Sequence, residues 1–297
     1  MTASVPSPAF AVIIPHYNDV VRLTKCLTAL CSDGNGETLH DVEVVVVDNK
    51  STQSLDTLKS AFPAVEFVVE PEKGAAAARN RGVRSTTAAK LFFLDADCVP
   101  TPSWLAEAKR ASADPGADIV GGRIETFDET LPPRSGAEAF ETVFAFQQET
   151  YVNKKGFSVT ANLVTSRTVF EDTGDFIVGL SEDFDWCQRA RSKGYRLVYD
   201  DRLVVCHPTR QDWPALSKKW KRLADESFHL NGTSVSARIK WGLRAGAVLL
   251  SVVPHALKVL TNAELDGITE RRRGLMTLLR LRVCRFAWMI RQAATGE

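Results

Sequence analysis

The chain lacks most of the short signals that announce a function. None of its six cysteines forms a Cys-x-x-Cys pair, and the histidine spacing suggests no zinc site. Cys26, Cys31, Cys98, Cys187, Cys206 and Cys284 are scattered singly, the usage of a reducing compartment, where thiols serve as small apolar residues. No apolar run reaches the roughly 20 residues of a spanning helix. The longest candidate, AGAVLLSVVPHAL (245–257), is short and contains Pro254. The N-terminal MTASVPSPAFAVIIP has no charged start and little apolar length, so no leader peptide is expected. PEKGAAAARNRG (71–82) lacks both the Gly-Lys-Ser/Thr ending of a P-loop and the Gly-x-Gly-x-x-Gly spacing of a dinucleotide fold. Low-complexity segments and solenoid-length repeats are missing too. A zinc module, a disulfide scaffold and a Walker-type NTPase are thereby set aside.

What is present is a folded α/β chain with an uneven charge. Its 44% hydrophobic and 25% charged residues suit one large domain or two smaller ones. From residue 208 onward there are 16 Lys/Arg against 7 Asp/Glu, whereas residues 1–207 carry 21 against 29. An acidic body therefore carries a basic tail. In the body, FAVIIP (10–15), VEVVVVD (42–48), VEFVVE (65–70) and KLFFLDAD (90–97) are short apolar runs that read as buried strands. Helical patterns fill the gaps: DVVRLTKCLTAL (19–30) with Asn18 or Asp19 as cap, SLDTLKSAF (54–62), and GAAAARNRGVRST (74–86), whose alanines suit tight packing on a sheet. Strands separated in this way imply a parallel sheet with right-handed crossovers, whose ligands bind beyond the carboxyl ends of the strands. The residues at those ends are polar: Pro15-His16-Tyr17-Asn18, Asp48-Asn49, Glu70-Pro71 and Asp95-Ala96-Asp97.

Further on, the pattern predicts a helix over 102–114, a strand over 117–127 broken by Gly121-Gly122, and an aromatic-rich helix over 137–152. The paired glycines suggest close approach of the backbone to a ligand or a neighbour. On the aromatic-rich helix, Phe140, Phe144 and Tyr151 read as core. A helix from about Glu182 to Ser192, a strand from Tyr195 to Tyr199 and a last strand, RLVVCH (202–207), complete the body.

Asp95 and Asp97 pose the sharpest question, because like charges this close repel and neither tolerates unpaired burial. The chain's composition would give about one Asp-x-Asp by chance; it has two, at 95/97 and 183/185. A hard divalent cation shared with a substrate phosphate would relieve the first pair. His207, at the end of the last strand, is either a structural residue or a further metal ligand. Arg79 either reaches an anionic ligand or is solvated. Glu182 and Asp183 either form an acidic first turn capped by Ser181 or present a general base to the crevice.

Taken in order over residues 10–208, these segments resemble the family 2 glycosyltransferases with a GT-A fold. AVIIPHYND is similar to the family's first strand and turn, VVVVDNKST to its second strand, and GAAAARNRG to its Gly-x-x-x-Ala-Arg-Asn segment. FLDADC resembles its Asp-x-Asp site, and TANLVTSRTVFEDTGDF its Gly-Ala-Asn to Gly-Gly-Phe stretch. SEDFDWCQRARSKGYRLVYD resembles its Glu-Asp-x-Asp-Leu segment. The resemblance implies an α/β GT-A domain over 1–208, with a nucleotide-binding half over about 1–100 and an acceptor half over about 101–208, followed by a basic helical region, 209–297. It implies an inverting, metal-dependent transfer of one sugar from a nucleotide-diphospho-sugar, a UDP-sugar first, to a glycan or lipid-linked acceptor. Pro15, Tyr17, Asn18, Asp48, Arg79, Asp95 and Ala96 would then meet the donor. Asp97, Asp95 and His207 would hold Mn²⁺ or Mg²⁺, Asp183 would act as base with Glu182 as the alternative, and Asn162, Trp186 and Gly121 would face sugar or acceptor.

Two departures stand out. Asp48-Asn49-Lys50-Ser51 replaces the family's Asp-Asp-Gly-Ser, and LSKKW (216–220) lacks the Gln and Arg of the processive synthases' Gln-x-x-Arg-Trp motif. Single-sugar transfer is expected. The rival readings are a degenerate nucleotide- or glycan-binding module and a nucleotidyltransferase on a related fold. In the tail, Leu275, Leu278, Leu279, Val283, Phe286 and Met289 gather on one side of a helix. That side either covers the tail's own core or lies on an anionic membrane. A cytoplasmic enzyme, peripheral on the membrane if the second holds, is expected; nucleic-acid binding is not.

Overall fold

The computed structural model describes residues 8–32, 39–179 and 181–296; the N-terminal reading at residues 1–7 lies outside them. The chain divides into two compact units, Met1–Glu125 with Gln147–His207, and Thr126–Phe146 with Pro208–Glu297.

The first unit is built on a sheet. β1 (Phe10–His16), α1 (Val20–Cys31), β2 (Val42–Asp48), α2 (Asp56–Ala61), β3 (Val65–Val69), α3 (Ala75–Ser85) and β4 (Lys90–Leu94) alternate as the apolar runs require. The four strands are parallel, with His16 level with Asp48 and Phe10 level with Lys90. β5 (Val99–Pro100), α4 (Trp104–Ser112) and β6 (Ile119–Phe127) follow. α5 (Gly136–Phe144) belongs to the second unit, and α6 (Gln148–Thr150), running on into a wide turn over Tyr151–Lys155, returns to the first. β7 (Asn162–Ser166), α7 (Arg167–Thr173), α8 (Glu182–Ser192) and β8 (Leu197–Pro208) complete it. The strand order is β3-β2-β1-β4-β7-β6-β8-β5, with β7 antiparallel to both β4 and β6. The parallel sheet expected from the first hundred residues is therefore half of a mixed one.

α3 lies very close to the sheet. A Cβ at Gly82 would stand 2.4 Å from Ile13 Cγ2, so the Ala-Gly composition is what lets this helix approach. The aromatic residues Phe93, Phe170, Phe176 and Trp186 fill the other part of the core.

The second unit is helical: α5, α9 (Trp213–Asn231), α10 (Val235–Leu250), α11 (Val252–Thr261) and α12 (Gly267–Thr295). The helix expected over 137–152 ends at Phe144, because Phe146 takes a left-handed backbone (φ 42°). Phe140 and Phe144 accordingly pack in the helical unit, while Tyr151 stacks on Phe157 in the other. Residues 126–146, assigned to the catalytic domain from sequence, group with the C-terminal helices because Ala137, Ala139 and Phe140 bury against Leu278 and Leu281. Strands expected separately over 195–199 and 202–207 are one continuous β8.

Two readings of the tail change. Only Ser251 separates α10 from α11, and Val235–Thr261 is long and apolar enough to cross a membrane by length and composition. Pro254 falls in the first turn of α11, where backbone N–H groups have no helical acceptor to lose, so the interruption is confined to Ser251. On α12 the inward residues are Leu278, Leu281, Arg282 and Met289, whereas Leu279 and Val283 are exposed, so the apolar side inferred from spacing is rotated.

Candidate active site

Strand β4 stops at Leu94, and Asp95-Ala96-Asp97 forms a turn closed by the Cys98 amide donating to the Asp95 carbonyl at 3.0 Å. The two carboxylates thus leave the strand before the problem of burial arises, and each meets a nitrogen-bearing partner. Arg79 Nη2 donates to Asp95 Oδ1 at 2.5 Å, and His207 Nε2 lies 3.2 Å from Asp97 Oδ2. Arg79 is only 3% exposed. Its Nη1 donates to Glu182 Oε1 at 3.0 Å, and its buried Nε has no hydrogen-bond partner. One guanidinium therefore ties the end of β4 to the start of α8.

A cavity of about 240 Å³ opens at this strand edge, lined by Pro15, His16, Tyr17, Arg79, Asp95 and Asp97 among others. The edge is the one that a parallel sheet reserves for ligands. Its floor is rigid. His16 Nδ1 lies 3.3 Å from Asp48 Oδ1, its Nε2 accepts from the Asp19 amide at 3.1 Å, and the Asp48 carboxylate accepts from the Ser51 amide. Asn49 Oδ1 accepts from Gly74 N at 2.7 Å, pinning the entry to α3. Asn18, left-handed at φ 50°, takes the amides of Thr52 and Gln53 on its Oδ1.

α8 brings the acidic pair. Its start is Ser181, whose hydroxyl donates to Asp183 Oδ1 at 3.2 Å instead of capping a backbone amide, and the Phe184 amide donates to the same oxygen at 2.7 Å. Trp186 and Cys187, one turn on, are fully buried and anchor the helix. Burial and the neighbouring Glu182 carboxylate push the Asp183 pKa up to about 6, against the opposing pull of the Phe184 amide and the Arg79 charge. A carboxyl raised in this way suits proton exchange at mildly acid to neutral pH. Cys187, by contrast, is pushed up to about 12 by burial, and burial beside Asp97 raises the Cys26 and Cys98 thiols, so these cysteines are inert apolar packing.

Of the residues expected at the site, Pro15, Tyr17, Arg79, Asp95, Ala96 and Asp97 line the cavity together, His207 stands beside it against Asp97, and Glu182 joins it through its ion pair with Arg79. Asn18 and Asp48 brace the loops beside it. Asp95 does not stand with Asp97 and His207 as a third metal ligand, because Arg79 takes its carboxylate; among the described residues no group of three ligand-type side chains is gathered. One carboxylate and one imidazole at a crevice still suit Mn²⁺ or Mg²⁺ whose remaining positions are filled by phosphate oxygens and water.

The three acceptor candidates are structural. Asn162 is 0% exposed, accepts from Trp104 Nε1 at 2.9 Å and donates to the carbonyls of Arg123 and Leu203. Trp186 is buried with its indole N–H on the Gly174 carbonyl at 2.9 Å. Gly121 makes room for a protein neighbour, since a Cβ there would stand 2.5 Å from Ser158 Oγ. Sequence reasoning passed over His16 and Asn49 as site residues, though their position at the ends of β1 and β2 was the available signal.

Residues 11–185 match the family model described as glycosyl transferase family 2. The chain is 33% identical over 222 residues to the glycosyltransferase AglE of Haloferax volcanii, covering 72% of this chain and 71% of that one. It is 30% identical over 216 residues to the pre-mycofactocin glycosyltransferase of Mycobacterium tuberculosis, covering 69% of this chain but 44% of that protein. Among solved structures, a mannosyltransferase from Pyrobaculum calidifontis in complex with GDP-Man and Mn²⁺ superposes with a TM-score of 0.57 at 18% identity, over 98% of this chain and 74% of that one. S. aureus TarS superposes with a TM-score of 0.51 at 15% identity, over 93% of this chain and 71% of that one. A mixed sheet with a ligand edge of this kind is the GT-A fold. The protein belongs to the family 2 glycosyltransferases.

Proposed function

We propose that this glycosyltransferase moves one sugar, with inversion at the anomeric carbon, from a nucleotide-diphospho-sugar to a hydroxyl of a glycan or lipid-linked acceptor. The observation that carries the reading is the strand-edge cavity lined by Arg79, Asp95 and Asp97, where Arg79 pairs with Asp95 and His207 Nε2 lies 3.2 Å from Asp97 Oδ2. The donor lies along that edge, its base and ribose near Tyr17, Asp48 and Asp95 and its diphosphate near Asp97. Asp97 and His207 would hold the divalent ion, which offsets the negative charge of the leaving diphosphate.

Asp183 removes the proton from the acceptor hydroxyl as that oxygen attacks, and its raised pKa keeps the resulting acid stable enough to form. Glu182, held by Arg79, sets the position of the helix start and sustains the local negative charge. No carboxylate need bond to the sugar in a direct displacement. Uridine donors are the family's commonest, and GDP-mannose, the ligand of the Pyrobaculum protein, is the alternative. The basic helical region with its exposed apolar residues supports an acceptor or surface that is amphiphilic, on the cytoplasmic side of a membrane.

The test is release of nucleoside diphosphate from a panel of UDP- and GDP-sugars with Mn²⁺, with the anomeric configuration of the product read by NMR. One donor class turned over, an inverted product, and loss of turnover in Asp183→Asn are expected. A retained configuration, or an Asp183→Asn variant as fast as the parent, would overturn the reading.

A further inference from the structure

Three arginines gathered in the helical unit have no carboxylate partner among the described residues. Arg282 of α12 is 6% exposed, yet its one hydrogen bond runs from Nη2 to His255 Nδ1 at 3.0 Å, and its buried Nε has no partner. Arg285, one turn on, places its guanidinium 4.5 Å from the Trp220 ring, and its buried Nε is also unpartnered. Arg244 of α10 stands 5.1 Å over Trp241. Among the described residues, none of the three reaches a carboxylate within 4 Å. Some half-buried cations of the unit are paired instead: Lys219 and Arg210 share Glu141, and Arg134 has Asp128 and Glu270.

The arginines sit close enough to repel one another. Burial, Arg282 and Arg244 together push the Arg285 pKa down to about 10, and burial with Arg282 and Lys258 lowers that of His255. The buried indole N–H of Trp220 likewise has no acceptor. The cluster offers donors and positive charge and accepts through the His255 nitrogen alone. A helix interior does not hold such a set cheaply unless an anion with several oxygens completes it. Along the same helices Leu243, Leu250, Val253 and Leu257 are exposed, as are Leu279 and Val283. These are surfaces suited to hydrocarbon.

We propose that Arg244, Arg282 and Arg285, with the Trp220 N–H, form a phosphate site that takes the phosphate group of a lipid, whose tail lies against the exposed apolar residues of α10, α11 and α12. The site is independent of the sugar-transfer chemistry and of the cavity at Asp95 and Asp97. It differs from a diffuse basic surface in that Arg282 and Arg285 keep buried, unpartnered Nε atoms and the exposed Arg244 is held over the Trp241 ring.

The full-length protein is tested in two arms: thermal unfolding with and without inorganic phosphate at constant ionic strength, and sedimentation with phosphatidylcholine vesicles with and without phosphatidic acid. The variants are Arg285→Met and Arg244→Met, with the exposed Arg291→Met as a control of equal charge change. Wild type and Arg291→Met are expected to gain stability from phosphate and to sediment only with the phosphatidic acid vesicles. Arg285→Met and Arg244→Met should bind these vesicles about tenfold more weakly, the loss of one charge-assisted contact. Without phosphate, Arg285→Met should unfold no earlier than wild type, because it removes a buried cation that lacks a counter-ion. Equal weakening in Arg291→Met would show diffuse attraction and overturn the site. Stabilisation by phosphate with no preference between vesicles would overturn the lipid assignment. Earlier unfolding of Arg285→Met with unchanged vesicle binding would make the arginine a structural residue; Arg244→Met, on an exposed position, keeps the test open should Arg285→Met fail to fold.

Discussion

Replacing Arg79 with methionine tests how the site is held together. The guanidinium meets Asp95 at 2.5 Å and Glu182 at 3.0 Å, so its removal leaves three carboxylates, Asp95, Glu182 and Asp183, near one another with no cation among them. Breaking a fully buried pair from one side costs about 3–5 kcal/mol. Here the two carboxylate side chains are 29% and 26% exposed, so water takes up part of the loss and about 2–3 kcal/mol is expected. For a unit of this size that corresponds to a fall in unfolding temperature of roughly 5–10 °C. A second effect distinguishes the account from simple destabilisation. Arg79 is one of the groups holding the Asp183 pKa down, so without it the acid limb of the kcat/KM profile should move upward from about 6. Arg79→Lys, which keeps the charge and loses the fork, should restore the limb more than the stability. Differential scanning fluorimetry and a pH–rate profile read the two effects separately. An Arg79→Met protein that unfolds within about 1 °C of the parent and keeps its limb would refute the clamp, since that is far below the expected shift.

Asp183→Asn should lower turnover by about 10²–10⁴-fold with donor binding retained, the usual contribution of a general base. In the parent, activity should rise with pH through about 6 as Asp183 loses its proton. The stability sign runs the other way. A carboxyl whose folded pKa is raised favours the folded state at acid pH, and that contribution declines as pH rises through about 6. Chemical denaturation of parent and Asp183→Asn across pH 4–8 measures it. Asn162→Leu should cost about 2–4 kcal/mol, because it strands the Trp104 indole N–H and two strand carbonyls, and should leave the KM values of active protein unchanged. A raised acceptor KM at unchanged stability would instead return Asn162 to the acceptor site.

Much of the first unit could be read from residue order because its strands are wholly apolar and each ends at a polar residue. Val42–Asp48 and Lys90–Leu94 are buried on both faces, and a parallel sheet leaves no other pattern open to them. The carboxylates of Asp95 and Asp97 were visible for the same reason. What pairs them was not, because Arg79 lies on α3 and His207 at the end of β8, and only the packed sheet brings these together. Asn162 and Trp186 show the opposite failure. A buried polar group satisfied by carbonyls looks, in sequence, like one that faces a sugar. The grouping of residues 126–146 with the C-terminal helices, the left-handed turn at Phe146 and the one-residue break between α10 and α11 depend on tertiary contacts or on a proline's place within a turn. On α12 the apolar spacing suggested a face that included Leu279 and Val283. The inward face instead carries Arg282, a choice that hydropathy alone argues against.

The central claim is that Asp97 and His207 hold a divalent ion together with the diphosphate of a sugar donor at the edge lined by Arg79 and Asp95. Calorimetric titration of UDP and GDP, each with Mn²⁺ and with EDTA, into the parent and Asp97→Ala tests it most directly. The account predicts that one nucleotide binds only when the metal is present and that Asp97→Ala loses this binding. Equal binding with EDTA, or binding undiminished in Asp97→Ala, would contradict it.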